Sequence, residues 1–298
     1  MRVTSTTTYL TMRDGLTSSL SLVAGLQEQL SSGHKIVRYS DDPSGVGAVL
    51  RYASEQSAQT SYQLAANDAS ARLGVTDTTL QSANSLLQRA QDLATGSVNG
   101  ALGADARTAN AQEIRQLRDQ LVDMANTQHL GTSLFGGFSG TAVTQDPTTG
   151  VVTFTGDGGA LNRQVGSDVT LQVNLPGTQV FGFDQPPGKD VFSVLQQLAI
   201  DVAAGNTAGI QTGSANLTVN GKTVLQALGT VGALTNRVEA ATSTSNATSD
   251  RLTAQRSDLE DLDYADGVLR LSQAQTGYQA ALAASAKANL PSLADFLK

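Results

Sequence analysis

Apolar side chains recur at steps of three and four residues along the first part of the chain, with Ser, Thr and Gln between them. This spacing is that of one face of an α-helix. The stripe consists of Tyr9, Met12, Leu16, Leu20, Val23, Leu26 and Leu30. The pattern predicts an amphipathic first helix.

Two more stripes of the same period follow. The second consists of Leu80, Ala83, Leu87, Ala90 and Ala94, and the third of Ile114, Leu117, Leu121 and Met124. The segment "TGSVNGALGAD" lies between them, and its Asn-Gly pair and other glycines are typical helix breakers. We therefore predict a helical hairpin.

The pattern changes between residues 139 and 189, where short β-branched runs alternate with clusters of Gly, Asp and Pro. These runs predict strands at 151–155, 161–165, 169–175 and 179–183, and "GDGG" is expected to form a tight turn. The β segment is thus an insertion in a helical chain.

Helical periodicity returns after "QPPGKD", where Asp190 is positioned to cap a helix that contains Val191, Val194, Leu195 and Leu198. The stripe continues from Leu225, weakens through "TSTSNATSD", and reappears at Leu252, Leu259, Leu262 and Leu269. A continuous helix to about residue 288 would be roughly 100 Å long. Its narrow Leu and Ala stripe has to be buried against other helices, and the first and last helices are the expected partners.

The polar stretch "LSSGHKIVRYSDDPSGVG" joins the first two helices. Gly33 can adopt the positive φ that ends a helix, and Asp42 before Pro43 is typical of an N-cap followed by proline at the first helical position. Ser40 and Asp41 can accept further amide hydrogen bonds. His34, Lys35 and Arg38 either present positive charge to carboxylates of a neighbour or of the acidic cluster at 258–266, or belong to a solvated connector. We interpret residues 33–43, called the joint below, as a helix-loop-helix connection.

Composition excludes several classes of function. The chain has no cysteine, its net charge of −7 is spread without long runs, and only 4% of its residues are aromatic. Nucleic acid is a poor partner, because phosphate binding needs clustered Lys and Arg. The chain also lacks an 18-residue apolar run and a signal-peptide core, so we expect no membrane insertion and export without a cleavable signal.

No catalytic or metal site is expected, and no cofactor. His34 and His129 have no cysteine partner and lack H-x-x-x-H spacing. The carboxylates at 258–266 are dispersed around a helix. No glycine-rich phosphate loop and no G-x-S-x-G motif occurs in the sequence. We therefore expect that the chain is not an enzyme.

Two separated motifs resemble those of bacterial flagellins and hook-associated proteins. The first contains "LSSG", a basic pair and "SDDP", and the second is "LEDLDYADGVLRLSQAQTGYQAALAA" at residues 259–284. The segments "MRVTS" and "ANTQHLGTSLFGGFSGTA" are more similar to the hook-filament junction members of this family than to flagellins.

The resemblance implies a mainly α fold with a β insertion, in which long antiparallel helices form a terminal coiled coil and a helical bundle, with one small outer β domain. The expected segments are 1–40 (N-terminal coiled coil and joint), 41–138 and 190–259 (helical bundle), 139–189 (β domain), and 260–298 (C-terminal coiled coil).

The resemblance also implies an axial assembly interface on the terminal helices. Its expected residues are the first stripe together with Leu259, Leu262, Leu269, Tyr278, Leu282, Leu290, Leu293 and Phe296. The implied partners are other copies in a ring or helical layer, a hook-side hook-associated protein, flagellin and a cytoplasmic export chaperone, in an extracellular flagellum. Two alternatives stay open, a filament-forming flagellin and a soluble coiled-coil binding protein.

Overall fold

The computed structural model of the protein describes residues 5–98 and 103–288. The helices are α1 (Ser5–Ser32), α2 (Pro43–Val98), α3 (Ala104–Ala125), α4 (Gly177–Phe181), α5 (Val191–Ala204), α6 (Thr207–Glu260) and α7 (Tyr264–Ala288). The strands are β1 (Gln128–His129), β2 (Thr132–Ser133), β3 (Val143–Gln145), β4 (Val152–Phe154), β5 (Asn162–Gln164) and β6 (Thr170–Gln172). Long helices therefore enclose a short β segment along the sequence.

The strands form three separate antiparallel pairs, β1 with β2, β3 with β4, and β5 with β6. Each pair joins neighbours in sequence, so the β segment is a series of hairpins. The first hairpin pairs Gln128 with Ser133 and His129 with Thr132. Only residues 130 and 131 remain for its turn.

The chain divides into two units, one made of Met1–Ala58 with Thr248–Lys298 and the other of Gln59–Ala247. In the first unit, α1 packs along α7. Gln56 of α2 is hydrogen-bonded to Thr253 of α6 through its Nε2 atom at 3.0 Å. The first unit thus contains both terminal helices and the joint.

The core of the second unit is formed by α2, α3, α5 and α6. Leu80, Ile114, Leu198 and Val224 represent these four helices in one cluster of buried apolar side chains. Their burial follows the three- and four-residue periodicity of the sequence, because that spacing places successive apolar residues on one helix face.

The β segment adds a group of phenylalanine rings to this core. The ring of Phe181 lies 5.2 Å from that of Phe135 and 5.5 Å from that of Phe192, measured between centroids. All three side chains are buried. The segment between α3 and α5 is therefore attached to α5 by aromatic packing, which adds to the stabilisation from buried area alone.

The structure confirms the predicted fold class, a mainly helical chain with long helices and a small β region. It also confirms the cap of α5, because the Asp190 side chain accepts a hydrogen bond of 2.9 Å from the Ser193 amide. Among the described residues, no helix has both the length and the apolar content needed to cross a bilayer.

Two predictions about individual elements were wrong. The expected strand at 179–183 overlaps α4, and "GDGG" links two hairpins instead of forming a hairpin turn. The last helical stretch, which was considered as one continuous helix to about residue 288, is interrupted at residues 261–263, between α6 and α7. The predicted segment boundaries at 40, 138, 189 and 259 stay predictions.

Candidate assembly site

Gly33 ends α1 in a conformation that only glycine adopts easily. Its φ is +77°, and its amide donates to the Gln29 carbonyl at 2.9 Å. A Cβ atom at this position would lie 2.9 Å from the Tyr264 hydroxyl oxygen. Backbone conformation and close packing therefore both require glycine here.

The joint is hydrogen-bonded to the interruption between α6 and α7. The Lys35 amide donates to the Glu260 carbonyl at 2.8 Å, and the Leu262 amide donates to the Gly33 carbonyl at 2.9 Å. These bonds flank an antiparallel bridge between His34 and Asp261. The break in the last helix is thus stabilised by the end of the first.

Asp263 forms the cap that starts α7. Its Oδ1 atom accepts hydrogen bonds from the amides of Ala265 at 2.9 Å and Asp266 at 3.3 Å. An aspartate before an acidic first turn is a typical helix start. This was the sequence signal that could have located the break.

Asp42 caps α2, whose first residue is Pro43. Its Oδ1 atom accepts hydrogen bonds from the amides of Gly45 at 2.9 Å and Ser44 at 3.2 Å. The bond from the Gly45 amide, followed by that from the Ser44 hydroxyl, lowers the pKa of Asp42 below its ordinary value. The carboxylate is therefore ionised over the neutral range.

Asp41 supports the same turn, since its Oδ2 atom accepts a 2.9 Å hydrogen bond from the Arg38 amide. Ser40 is exposed. The amide hydrogen bonds that Ser40 was expected to accept are accepted by Asp41 and Asp42. The joint is therefore held by hydrogen bonds that backbone amides on both sides of residue 42 donate to the carboxylates of Asp41 and Asp42.

The basic side chains of the joint have three different partners. His34 Nδ1 lies 3.5 Å from Asp261 Oδ1. Lys35 Nζ donates to the Asp258 backbone carbonyl at 2.8 Å, whereas Arg38 pairs with Glu28 of α1 at 2.7 Å. Only His34 faces a carboxylate of the 258–266 run.

The first stripe is only partly covered in the single chain. Tyr9 and Leu20 are exposed at 54% and 51%. The others are half-buried, namely Met12, Leu16, Val23, Leu26 and Leu30. Pairing of α1 with α7 therefore leaves apolar surface uncovered.

The second half of the expected interface shows the same partial cover. Leu259, Leu262 and Tyr278 are half-buried, and Leu269 and Leu282 are exposed. The remaining expected residues, Leu290, Leu293 and Phe296, lie outside the described residues.

Close packing between the terminal helices occurs at Gly267. This residue is buried, and a Cβ atom built there would lie 3.1 Å from the Cδ2 atoms of both Leu30 and Leu262. A glycine in α7 thus lets the end of α1 approach the start of α7.

Comparison with protein families decides what these helices are. Residues 3–139 match the bacterial flagellin N-terminal helical region, and residues 217–297 match the bacterial flagellin C-terminal helical region. The chain belongs to the family of bacterial flagellins and hook-associated proteins. The matched regions contain α1, the joint, α7 and most of α6, so the geometry described above lies within the parts of the chain that match the family.

Two relatives of the chain are hook-associated proteins. Flagellar hook-associated protein 3 of Salmonella typhimurium is 28% identical over 64% of this chain and 62% of its own length. Flagellar hook-associated protein 3 of Escherichia coli is 26% identical over 94% of both chains. The chain thus spans less than two thirds of the first relative and nearly all of the second.

A solved structure has the same fold. A flagellar hook-associated protein from Vibrio parahaemolyticus superposes with a TM-score of 0.68 at 21% sequence identity. The superposition covers 74% of this chain and 100% of the other.

Two carboxylates of the 258–266 run form ion pairs within their own helices. Glu260 pairs with Arg256 at 2.6 Å, and Asp266 pairs with Arg270 at 2.7 Å, both within a helix. Within residues 5–98 and 103–288, no group of three or more His, Cys, Asp or Glu side chains could hold a metal ion.

Sequence periodicity missed part of the uncovered apolar surface. Leu22 on α1, Tyr264 and Val268 on α7, and Tyr39 in the joint are all exposed. None of them lies on the stripe with three- and four-residue spacing. A search for apolar residues off the predicted buried face would have found them.

Proposed function

We propose that this chain is a structural component of the bacterial flagellum that joins hook to filament by axial self-assembly through its terminal helices. The observation that carries the proposal is the uncovered apolar face of the α1–α7 pair. Exposed Leu20 and Leu269 represent its two helices. Exposed apolar side chains on both helices of a pair are typical of an interaction surface, which an assembling subunit buries against other chains.

The extent of similarity favours a junction subunit over a flagellin. The match to hook-associated protein 3 of Escherichia coli covers 94% of both chains. The family regions at the two ends leave residues 140–216 unmatched, so this longer match also includes the hairpins β3–β4 and β5–β6, together with α5.

The proposed partners are those of a junction. Other copies of the chain form the layer, a hook-side hook-associated protein contacts one side, and flagellin contacts the other. A cytoplasmic chaperone accompanies export, and the subunit works outside the cell. The proposed role is structural and includes neither catalysis nor a cofactor.

Deletion of the gene tests this function and separates the alternatives. We expect intact hooks, no attached filaments, and flagellin released into the medium, with attachment restored by the wild-type gene. A strain that releases no filament protein would instead identify the chain as the flagellin. Normal swimming after deletion would contradict both and favour the soluble binder.

A further inference from the structure

Leu130 forms an unusual hairpin tip. It is the first of the two residues between β1 and β2, and it is 83% exposed. Its φ is +50°, the only positive value at a non-glycine position within the described residues. A leucine in this left-handed conformation is strained, because its Cβ crowds the backbone carbonyl.

The base of this hairpin is held firmly. Arg72 of α2, itself 3% exposed, donates through Nη2 to the Ser133 carbonyl. On the other side, Asn126 Nδ2 donates to the Val143 carbonyl at 2.9 Å, and its Oδ1 accepts from the Ala142 amide at 3.0 Å. The tip therefore projects from a rigid support.

A strained and exposed apolar residue on a rigid support is costly to the free subunit. It gains no burial in the single chain and carries a conformational penalty. Such a residue is favourable where its side chain enters a partner, because the geometry is already fixed before binding. A few side chains that fill desolvated pockets near the centre of an interface contribute most of the binding energy.

The second unit also contains a hollow of suitable size, with a volume of about 240 Å³, between α4 and α6. This is below the roughly 300–1,000 Å³ of small-molecule sites, so it suits a single side chain. Its lining is mixed, with apolar Leu175, Val180 and Ala227 beside the uncharged Thr223 and Thr230, and Gln179 and Gln226 lie on its rim. No charged residue lines it.

We propose that Leu130 of one subunit inserts into the α4–α6 hollow of a neighbouring copy of this chain. The tip sequence His129–Leu130–Gly131–Thr132 carries no carboxylate, lysine or arginine, and neither does the hollow, so insertion leaves no such charge unpaired. Tip and hollow are different surfaces of one chain, which makes the contact head-to-tail and able to close a ring.

This contact rests on the proposed function, because it specifies how copies meet within the junction layer.

The absence of cysteine from the chain allows a direct test. Tagged Leu130→Cys subunits are co-expressed with untagged Gln226→Cys or Gln179→Cys subunits, and isolated flagella are oxidised. A disulfide forms only when the two Cα atoms lie about 4.4–6.8 Å apart.

We expect a tagged–untagged dimer on a non-reducing gel with at least one of the two rim positions. Val169→Cys provides the control tip, since Val169 is 41% exposed on the loop between β5 and β6. It should give no such dimer. Flagella that assemble normally but cross-link at neither rim position would overturn the contact, as would a Leu130→Cys pair that links only to itself.

Substitution of the Leu130 side chain provides a second test, in which self-association of the purified subunit is measured. Leu130→Asn should weaken self-association of the purified subunit about tenfold or more, whereas Leu130→Met and Val169→Asn should leave it unchanged. Equal self-association of Leu130→Asn and wild type would refute the contact. Filament attachment is scored separately by the deletion experiment, so failure of the contact and failure of the junction role give different results.

Discussion

At the scale of single residues, Leu130 is the position where stability and assembly are expected to conflict. Asparagine tolerates the left-handed region better than leucine, because its short polar side chain bonds locally. We predict that Leu130→Asn raises the free energy of unfolding by about 1 kcal/mol. Urea denaturation of the purified subunit measures this difference.

The control for this prediction is Leu130→Ala. Alanine also has a Cβ atom and keeps the left-handed penalty, so it should bring no comparable gain. If Leu130→Asn were no more stable than Leu130→Ala, the strain at the tip would not be significant.

Asp42 gives a pH-dependent prediction. Hydrogen bonds from the Gly45 amide and then the Ser44 hydroxyl lower its pKa in the folded state. A lowered folded pKa contributes stability above the unfolded value of about 4, and this contribution is lost as the pH falls through the folded pKa. We therefore predict that Asp42→Ala lowers the thermal midpoint at pH 7 and that the deficit shrinks below about pH 4.

Asp42→Asn separates capping from charge, because asparagine is an equally good N-cap that does not titrate. It should retain most of the wild-type midpoint at pH 7 without the acid-dependent change. Circular dichroism at each pH measures the thermal midpoint. If the midpoint of Asp42→Ala were lowered by the same amount at every pH, the carboxylate would not be the group that stabilises α2.

Residue chemistry also explains which parts of the site could be predicted. Gly33 and Asp42 are recognisable because glycine, and aspartate before proline, have local preferences that determine helix ends. The strain at Leu130 has no such signal, since leucine rarely adopts positive φ. Its conformation is imposed by the two strands on either side, which leave two residues for the turn.

At the scale of elements, the periodic helices and three of the four expected strands were predicted correctly, whereas the short apolar run at 179–183 was not. The expected strand at 179–183 contains Val180 and Phe181, which are β-formers, yet tertiary packing places both in the core from a short helix. Gly182, with a φ of +78°, ends that helix. Short apolar runs are compatible with either structure, so packing decides.

The weak stripe through "TSTSNATSD" proved to be helical for a related reason. The hydroxyls of Thr242 and Thr244 donate to the carbonyls four residues earlier, both at 2.9 Å. Ser245 is buried and bonds to Gln59 Oε1 of α2 at 2.9 Å. Polar contacts between helices replace apolar ones here, which periodicity of apolar residues cannot detect.

The α1–α7 pair provides the prediction at this scale. Leu26 is half-buried on α1, and a charge there would be buried without a partner on assembly. We predict that Leu26→Asp subunits fail to incorporate into flagella, as measured by immunoblotting of the isolated organelle.

Gln27→Asp is the matched control, because it introduces the same side chain one position along α1 at an exposed residue. It should incorporate normally. Leucine and glutamine have similar helix propensities, so both variants lose a similar amount of helix propensity, and a difference in incorporation reports the apolar position itself. Normal incorporation of Leu26→Asp would mean that the first stripe is not an assembly interface.

At the scale of the whole molecule, lateral and axial contacts have different requirements. A junction subunit presents one surface to the hook side and another to the first flagellin layer, so its axial surfaces are complementary to other proteins. The proposed Leu130 contact is lateral, and head-to-tail contacts of this kind close when their rotation completes a turn. Growth along the axis by identical copies is then unfavourable.

We therefore predict that the purified chain forms short rings or small oligomers and does not build a long filament alone. Seeded polymerisation followed by electron microscopy measures this, with a flagellin as the positive control for elongation. Seeds should gain at most a few layers of this chain, because each added layer lacks the different partner that its exposed axial surface fits. Elongation into filaments many layers long would show that identical copies fit axially, and the chain would then be a flagellin.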